Sequence, residues 1–161
     1  FDKEKGSCVP RNGKGEIADF WLRYDETSTN ECAILEFDGM FNGAYKQTQC
    51  PSTSFKSTYR ADTNHVYTQR MTIWTWRREG NESYQSQFVS NDEYLVMRSR
   101  SVVDAEGNLK SCNYSKVYGG IFVSEDFKFM TMVFNPKKND ANLEFDTRRN
   151  LRRKTSGILL P

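Results

Sequence analysis

Arginine and large aromatic residues share a period of two on two stretches of this chain, and that pattern offers its richest chemistry. Along one parity of 66–76 lie Val66, Thr68, Arg70, Thr72, Trp74 and Trp76. Along one parity of 94–102 lie Tyr94, Val96, Arg98, Arg100 and Val102. A guanidinium holds a carboxylate through two parallel hydrogen bonds. Ring faces supply broad apolar area beside it. With these parities turned inward, Arg70, Trp74, Trp76, Arg98 and Arg100 make a cavity wall for an acidic, partly apolar ligand. Turned outward, they are Arg stems lying over aromatic surface, with cation–π contact. Alternation alone does not choose the face.

The remaining reactive residues are few. His65 is the only histidine, so any Cys-His or Ser-His nucleophile must use it. It stands beside Asn64, where a solvent-facing position at a strand mouth is the plainer reading. A metal site would need partners such as Asp62 or Asp92, and no spacing singles them out. No glycine-rich loop joins a strand to a helix in phosphate-binding fashion. Gly119-Gly120 sits within a strand pattern and reads as a bulge or a close backbone approach. Without a base–nucleophile pair, the leading reading is non-enzymatic.

Four cysteines, Cys8, Cys32, Cys50 and Cys112, form no C-x-x-C pair. They fit two disulfides in an oxidising compartment, or four buried thiols in a reducing one. The expected bridges are Cys32–Cys50, closing a short loop, and Cys8–Cys112, anchoring the N-terminal arm. The sequons at Asn81 and Asn113 are no more than chance supplies. The chain opens at Phe1 without Met or a signal-like apolar run, and so reads as a mature segment. The expected location is the cell exterior or an organelle lumen, the plastid included.

These residues must be held by a folded framework. The 161 residues are expected to form a single domain, with 1–15 an irregular arm and 155–161 a tail. An aromatic share of 14% excludes a disordered chain. No apolar run is long enough for a transmembrane helix. A net charge of +2 gives little pull toward nucleic acid. The basic cluster Arg148, Arg149, Arg152, Arg153 and Lys154 has no interleaved aromatics, so it reads as a solvated tail.

Ile17, Phe20, Trp21 and Tyr24 recur at helical spacing and predict a short amphipathic helix, with a strand of mixed faces as the other option. After Ala33, β-branched and aromatic residues dominate, broken by turn signals every 10–15 residues. The expected strands are 33–38, 40–49, 53–61, 64–78, 82–89, 93–104, 109–123, 127–135 and 143–151. Glu79-Gly80-Asn81 and Ala105-Glu106-Gly107-Asn108 have turn chemistry. With no helix between strands, the chain is all-β and antiparallel. An up-and-down barrel of 8–9 strands follows, because closure removes exposed edges. A two-sheet sandwich is the alternative. Strand 127–134 is apolar on both parities and needs cover on both sides.

Chain length, a helix carrying Trp21 and a meander with few cysteines resemble the lipocalin or calycin group. The run Gly39-Met40-Phe41-Asn42-Gly43-Ala44-Tyr45, leading into Ser54-Phe55-Lys56-Ser57-Thr58-Tyr59-Arg60, is similar to a lipocalin-like family of cyanobacteria and plastids. That family joins a G-x-Y or G-x-W strand to an S-F-x-S-x-R strand. The resemblance implies a barrel binding a small apolar or amphipathic ligand, a lipid or pigment, with no cofactor required. A calyx-type lyase or isomerase is a further reading, since bilin lyases are relatives. An accessory subunit of a larger assembly, photosynthetic or otherwise organellar, is the main alternative. No catalytic residue transfers.

Overall fold

A computed structural model describes residues 16–27, 29–48, 60–87, 93–122 and 128–143. Eight strands run through them: β1 (Trp21–Glu26), β2 (Asn30–Glu36), β3 (Gly43–Thr48), β4 (Arg70–Glu79), β5 (Glu82–Gln87), β6 (Glu93–Val103), β7 (Leu109–Phe122) and β8 (Lys128–Phe134). No helix occurs among the described residues. The expected strand at 143–151 lies almost wholly outside them, as does most of 53–61.

The predicted helix over Ile17–Tyr24 is replaced by a strand from Trp21. β1 pairs antiparallel with β2, from Trp21 opposite Glu36 to Glu26 opposite Glu31. A helix under about 12 residues is marginal in water, whereas this hairpin satisfies its backbone across six residue pairs. The turn is fastened by Thr27, whose N–H donates to the Asn30 carbonyl at 2.7 Å. Leu22 then packs against the interior, and Phe20, just before the strand, is 1% exposed.

The strands do not follow a strict meander. They form two four-stranded antiparallel sheets, ordered β1-β2-β4-β5 and β3-β6-β7-β8. β3 leaves the first sheet and joins the second, so β2 pairs with β4. The departure has a joint. Ala44 of β3 exchanges two backbone hydrogen bonds with Thr68, at 3.0 and 2.8 Å, just before β4 begins. Gly43 permits it: a Cβ there would stand 2.8 Å from the Thr68 carbonyl oxygen. This glycine-bearing run thus makes a close crossing of two chain segments.

Several turns match their residue chemistry. β4 and β5 are joined by Gly80-Asn81, with Gly80 at φ +62°. After β6, Asp104 Oδ1 accepts from the amides of Glu106 and Asn108, and Gly107 takes φ +84°. The β7–β8 ladder shifts register between Tyr118 and Ile121, so Gly119-Gly120 marks a bulge.

One apolar cluster fills the space between the sheets. Ala33, Leu35, Met71 and Ile73 come from the first, and Ala44, Leu95, Met97 and Val117 from the second. The second sheet has another covered face. There Tyr45, Tyr94, Val96, Cys112 and Tyr114 pack with Ala61, Tyr67, Ala141 and Leu143 from two connecting segments. Those segments are tied together, Ala61 N–H donating to the Ala141 carbonyl at 2.8 Å. At the end of β8, Val133 and Phe134 are both buried, so the chain itself covers both sides there.

Candidate functional site

Two bulges decide where the arginines and tryptophans go. On β4, Thr72 pairs with Ile34 and Trp74 with Ala33, so Ile73 is the extra residue. Arg70 lies before the bulge and is exposed, bonded to Glu36, which also holds Arg23. Past it, Trp74 is half-buried against the interior cluster and stacks on Tyr24, centroids 6.3 Å apart. Trp76 is half-buried, opposite Glu31.

On β6, the register shifts between Ser99 and Val102, and Arg100 adopts φ 54°. Before the bulge, Leu95, Met97 and Ser99 face the interior and Tyr94, Val96 and Arg98 the far face. Arg100 breaks that alternation. Its Nε and Nη2 donate to the two carboxylate oxygens of Asp19, at 2.9 and 3.1 Å, and Asp19 is fully buried beside Phe20. Its guanidinium carbon lies 5.2 Å from the Phe134 ring centre. Phe134 pairs with Ser115, two residues from interior Val117. The five predicted wall residues therefore do not form one wall. Arg70 faces solvent, Trp74 edges the core, and Arg98 and Arg100 occupy opposite faces of one sheet.

Around Arg100 the interior turns polar. Ser99, Asn113 and Ser115 are all buried, and Ser99 stands directly opposite Asn113. Asn113 donates its amide to the Asn135 carbonyl at 3.1 Å. Its sequon is therefore closed to a glycan in the folded chain. Ser101 N–H donates to Asn42 Oδ1 at 3.0 Å. The hydroxyls of Ser99 and Ser101 are buried without any hydrogen-bond partner. Such orphans are few in folded proteins and each calls for a cause. Nothing in the sequence marked Asp19 or Ser99, because ordinary polar residues become unusual only when buried.

The far face collects a different chemistry. Arg98 is 8% exposed. Its Nε donates to the Phe41 carbonyl at 2.5 Å and its Nη1 to the Thr63 carbonyl at 3.4 Å. The Tyr67 ring lies against it, 4.0 Å from centroid to guanidinium carbon. Lys116, one row away, is 1% exposed with Nζ 4.7 Å from the Tyr94 ring centre. Burial lowers its amine to about 8. Burial also pushes Tyr114 up to about 12, aided by Cys112. His65 is exposed and stacks on Tyr45, centroids 4.0 Å apart.

Cys32 and Cys112 are free thiols, so neither expected bridge is formed in this structure. Cys112 is sealed in the tyrosine cluster of the far face, whereas Cys32 is half-buried in the first sheet. Cys8 and Cys50 lie outside the described residues. Among the described residues, no group of three or more His, Cys, Asp and Glu is placed to hold a metal. Among the described residues, no helix is long and apolar enough to cross a membrane. Comparison of the chain with protein-family models, with curated proteins and with solved structures finds no match.

Proposed function

We propose that this chain is a non-enzymatic β-domain that binds a small amphipathic molecule of the lipid or pigment class. Its polar end would sit in the interior where Ser99, Asn113 and Ser115 lie near the Arg100–Asp19 pair. The observation that carries this reading is the buried, unpartnered hydroxyl of Ser99. A buried hydroxyl without a partner costs about 1–3 kcal/mol. A ligand's polar atom removes that cost on binding. Strain supports the same place, since a non-glycine residue at positive φ is kept where its surroundings fix it. The apolar body would lie against Phe20, Met97 and their neighbours. Because Asp19 already neutralises Arg100, the polar end should be an uncharged hydroxyl or amide rather than an acid. The resemblance to lipocalin-like chains points to the same class of ligand.

All-trans-retinol, a fluorescent polyene with one hydroxyl, is a suitable probe. Its emission should rise on saturable binding. Ser99→Ala should weaken it about tenfold while leaving the fold as stable or more so, on the scale of one buried hydrogen bond. Retinol that gains no emission, or binds Ser99→Ala equally well, would sink the reading.

A further inference from the structure

The far face of the second sheet presents an electrostatic mismatch. Arg98 is more than nine-tenths buried, yet no carboxylate among the described residues pairs with it. Two backbone carbonyls, the ring faces of Tyr67 and Phe41 and the Tyr114 hydroxyl are its surroundings. A buried charge is ordinarily matched by an opposite one. The nearest acid in the covering segment is turned elsewhere: Asp62 Oδ1 accepts from the Asn64 amide at 2.9 Å. The backbone of Asp62 is meanwhile clamped. Its N–H donates to the Tyr45 hydroxyl at 3.0 Å, and its carbonyl accepts from the Tyr67 hydroxyl at 2.9 Å. Residues 62–67 thus form a strap over the guanidinium, fastened by side-chain hydroxyls.

We infer a second binding site here, for a small monocarboxylate with a flat apolar body, held by Arg98 beneath the 62–67 strap. The guanidinium fork matches a carboxylate's two oxygens. One fixed positive charge suits a monoanion. Flat neighbours, Tyr67 and Phe41, suit a planar body. The longer of its two hydrogen bonds to carbonyls, 3.4 Å to Thr63, is the one a carboxylate would replace as the strap yields. This site lies on the opposite face of the sheet from Ser99 and does not depend on the interior reading.

Benzoate and its neutral analogue benzamide test the inference on the full chain by nuclear magnetic resonance. Benzoate should shift the Arg98 Nε–H and Thr63 amide resonances saturably, and benzamide should leave both in place. Arg98→Lys keeps the charge and loses the fork, so the Thr63 response should appear only at about tenfold higher benzoate. Ser99→Ala should respond like the parent chain. An unmoved Arg98 resonance, an equal response to benzamide, an unchanged midpoint in Arg98→Lys or a lost response in Ser99→Ala would each overturn the site. Because the first two readouts use the unaltered chain, a variant that fails to fold leaves the test intact.

Discussion

Arg98 and Arg100 stand two positions apart on β6, where an unbroken strand would put them on one face. A single extra residue after Ser99 separates them instead. Arg100 turns to the interior and meets a buried carboxylate in a two-pronged ion pair. Arg98 stays on the far face, held by carbonyls and rings. One holds a buried ion pair near the orphaned hydroxyl of Ser99, the other a guanidinium among rings. The difference teaches that a one-residue bulge can divide a row of identical side chains into two chemistries.

The comparison is broken most severely at Asp19. Asp19→Ala removes the buried carboxylate that takes two hydrogen bonds from Arg100 and should cost about 3–5 kcal/mol in denaturant unfolding. Removing Arg98 should cost less, because its partners are neutral. Arg98→Met keeps much of the stem's packing and loses hydrogen bonds to two carbonyls, for about 1–3 kcal/mol. Equal losses for the two variants would remove the proposed distinction between the sites.

A pH titration sharpens the far-face half. Lys116 falls from 10.5 to about 8 through burial. Between those values the unfolded chain keeps a proton that the folded chain has released. Stability should therefore rise with pH across that window and stay level below it, as far as this group is concerned. Above pH 10 Tyr114, pushed to about 12, acts in the opposite sense, since the unfolded phenol ionises first. Lys116→Met should flatten the rise between pH 8 and 10, measured as the denaturation midpoint at each pH. The smallest effect belongs to Arg70. It is exposed and paired only at the surface, so Arg70→Ala should change stability by less than about 0.5 kcal/mol and leave retinol binding as it was.

Much of the strand plan was legible in the sequence. Glycine needs no tertiary context to favour a turn at Gly80 or Gly107, and period-2 runs of β-branched and aromatic residues favour strands wherever they fall. The Gly119-Gly120 bulge was readable for the same reason. Three features were not. The stretch from Ile17 to Tyr24 carries a helical period, yet it is β2 that gives Trp21–Glu26 its backbone partners. The exchange of β3 between sheets depends on Thr68 meeting Ala44, a contact of 24 residues' separation that no local propensity encodes. The bulges at Ile73 and Arg100 contain no glycine or proline, so nothing local announces them.

The sequence by itself determined that this chain is all-β and antiparallel, where several of its turns fall, and that arginine and aromatic residues share its strands. Those properties follow from φ/ψ preference and side-chain alternation, which act over a few residues. Only the tertiary structure decided which sheet each strand joins, which side of a sheet each arginine enters, and which polar atoms are left buried. These depend on pairing register, and a shift of one residue reverses a side chain's face. Asp19 shows the consequence. In sequence it is one acid among many, and it becomes the partner of Arg100 only because a bulge 81 residues away turns that side chain inward.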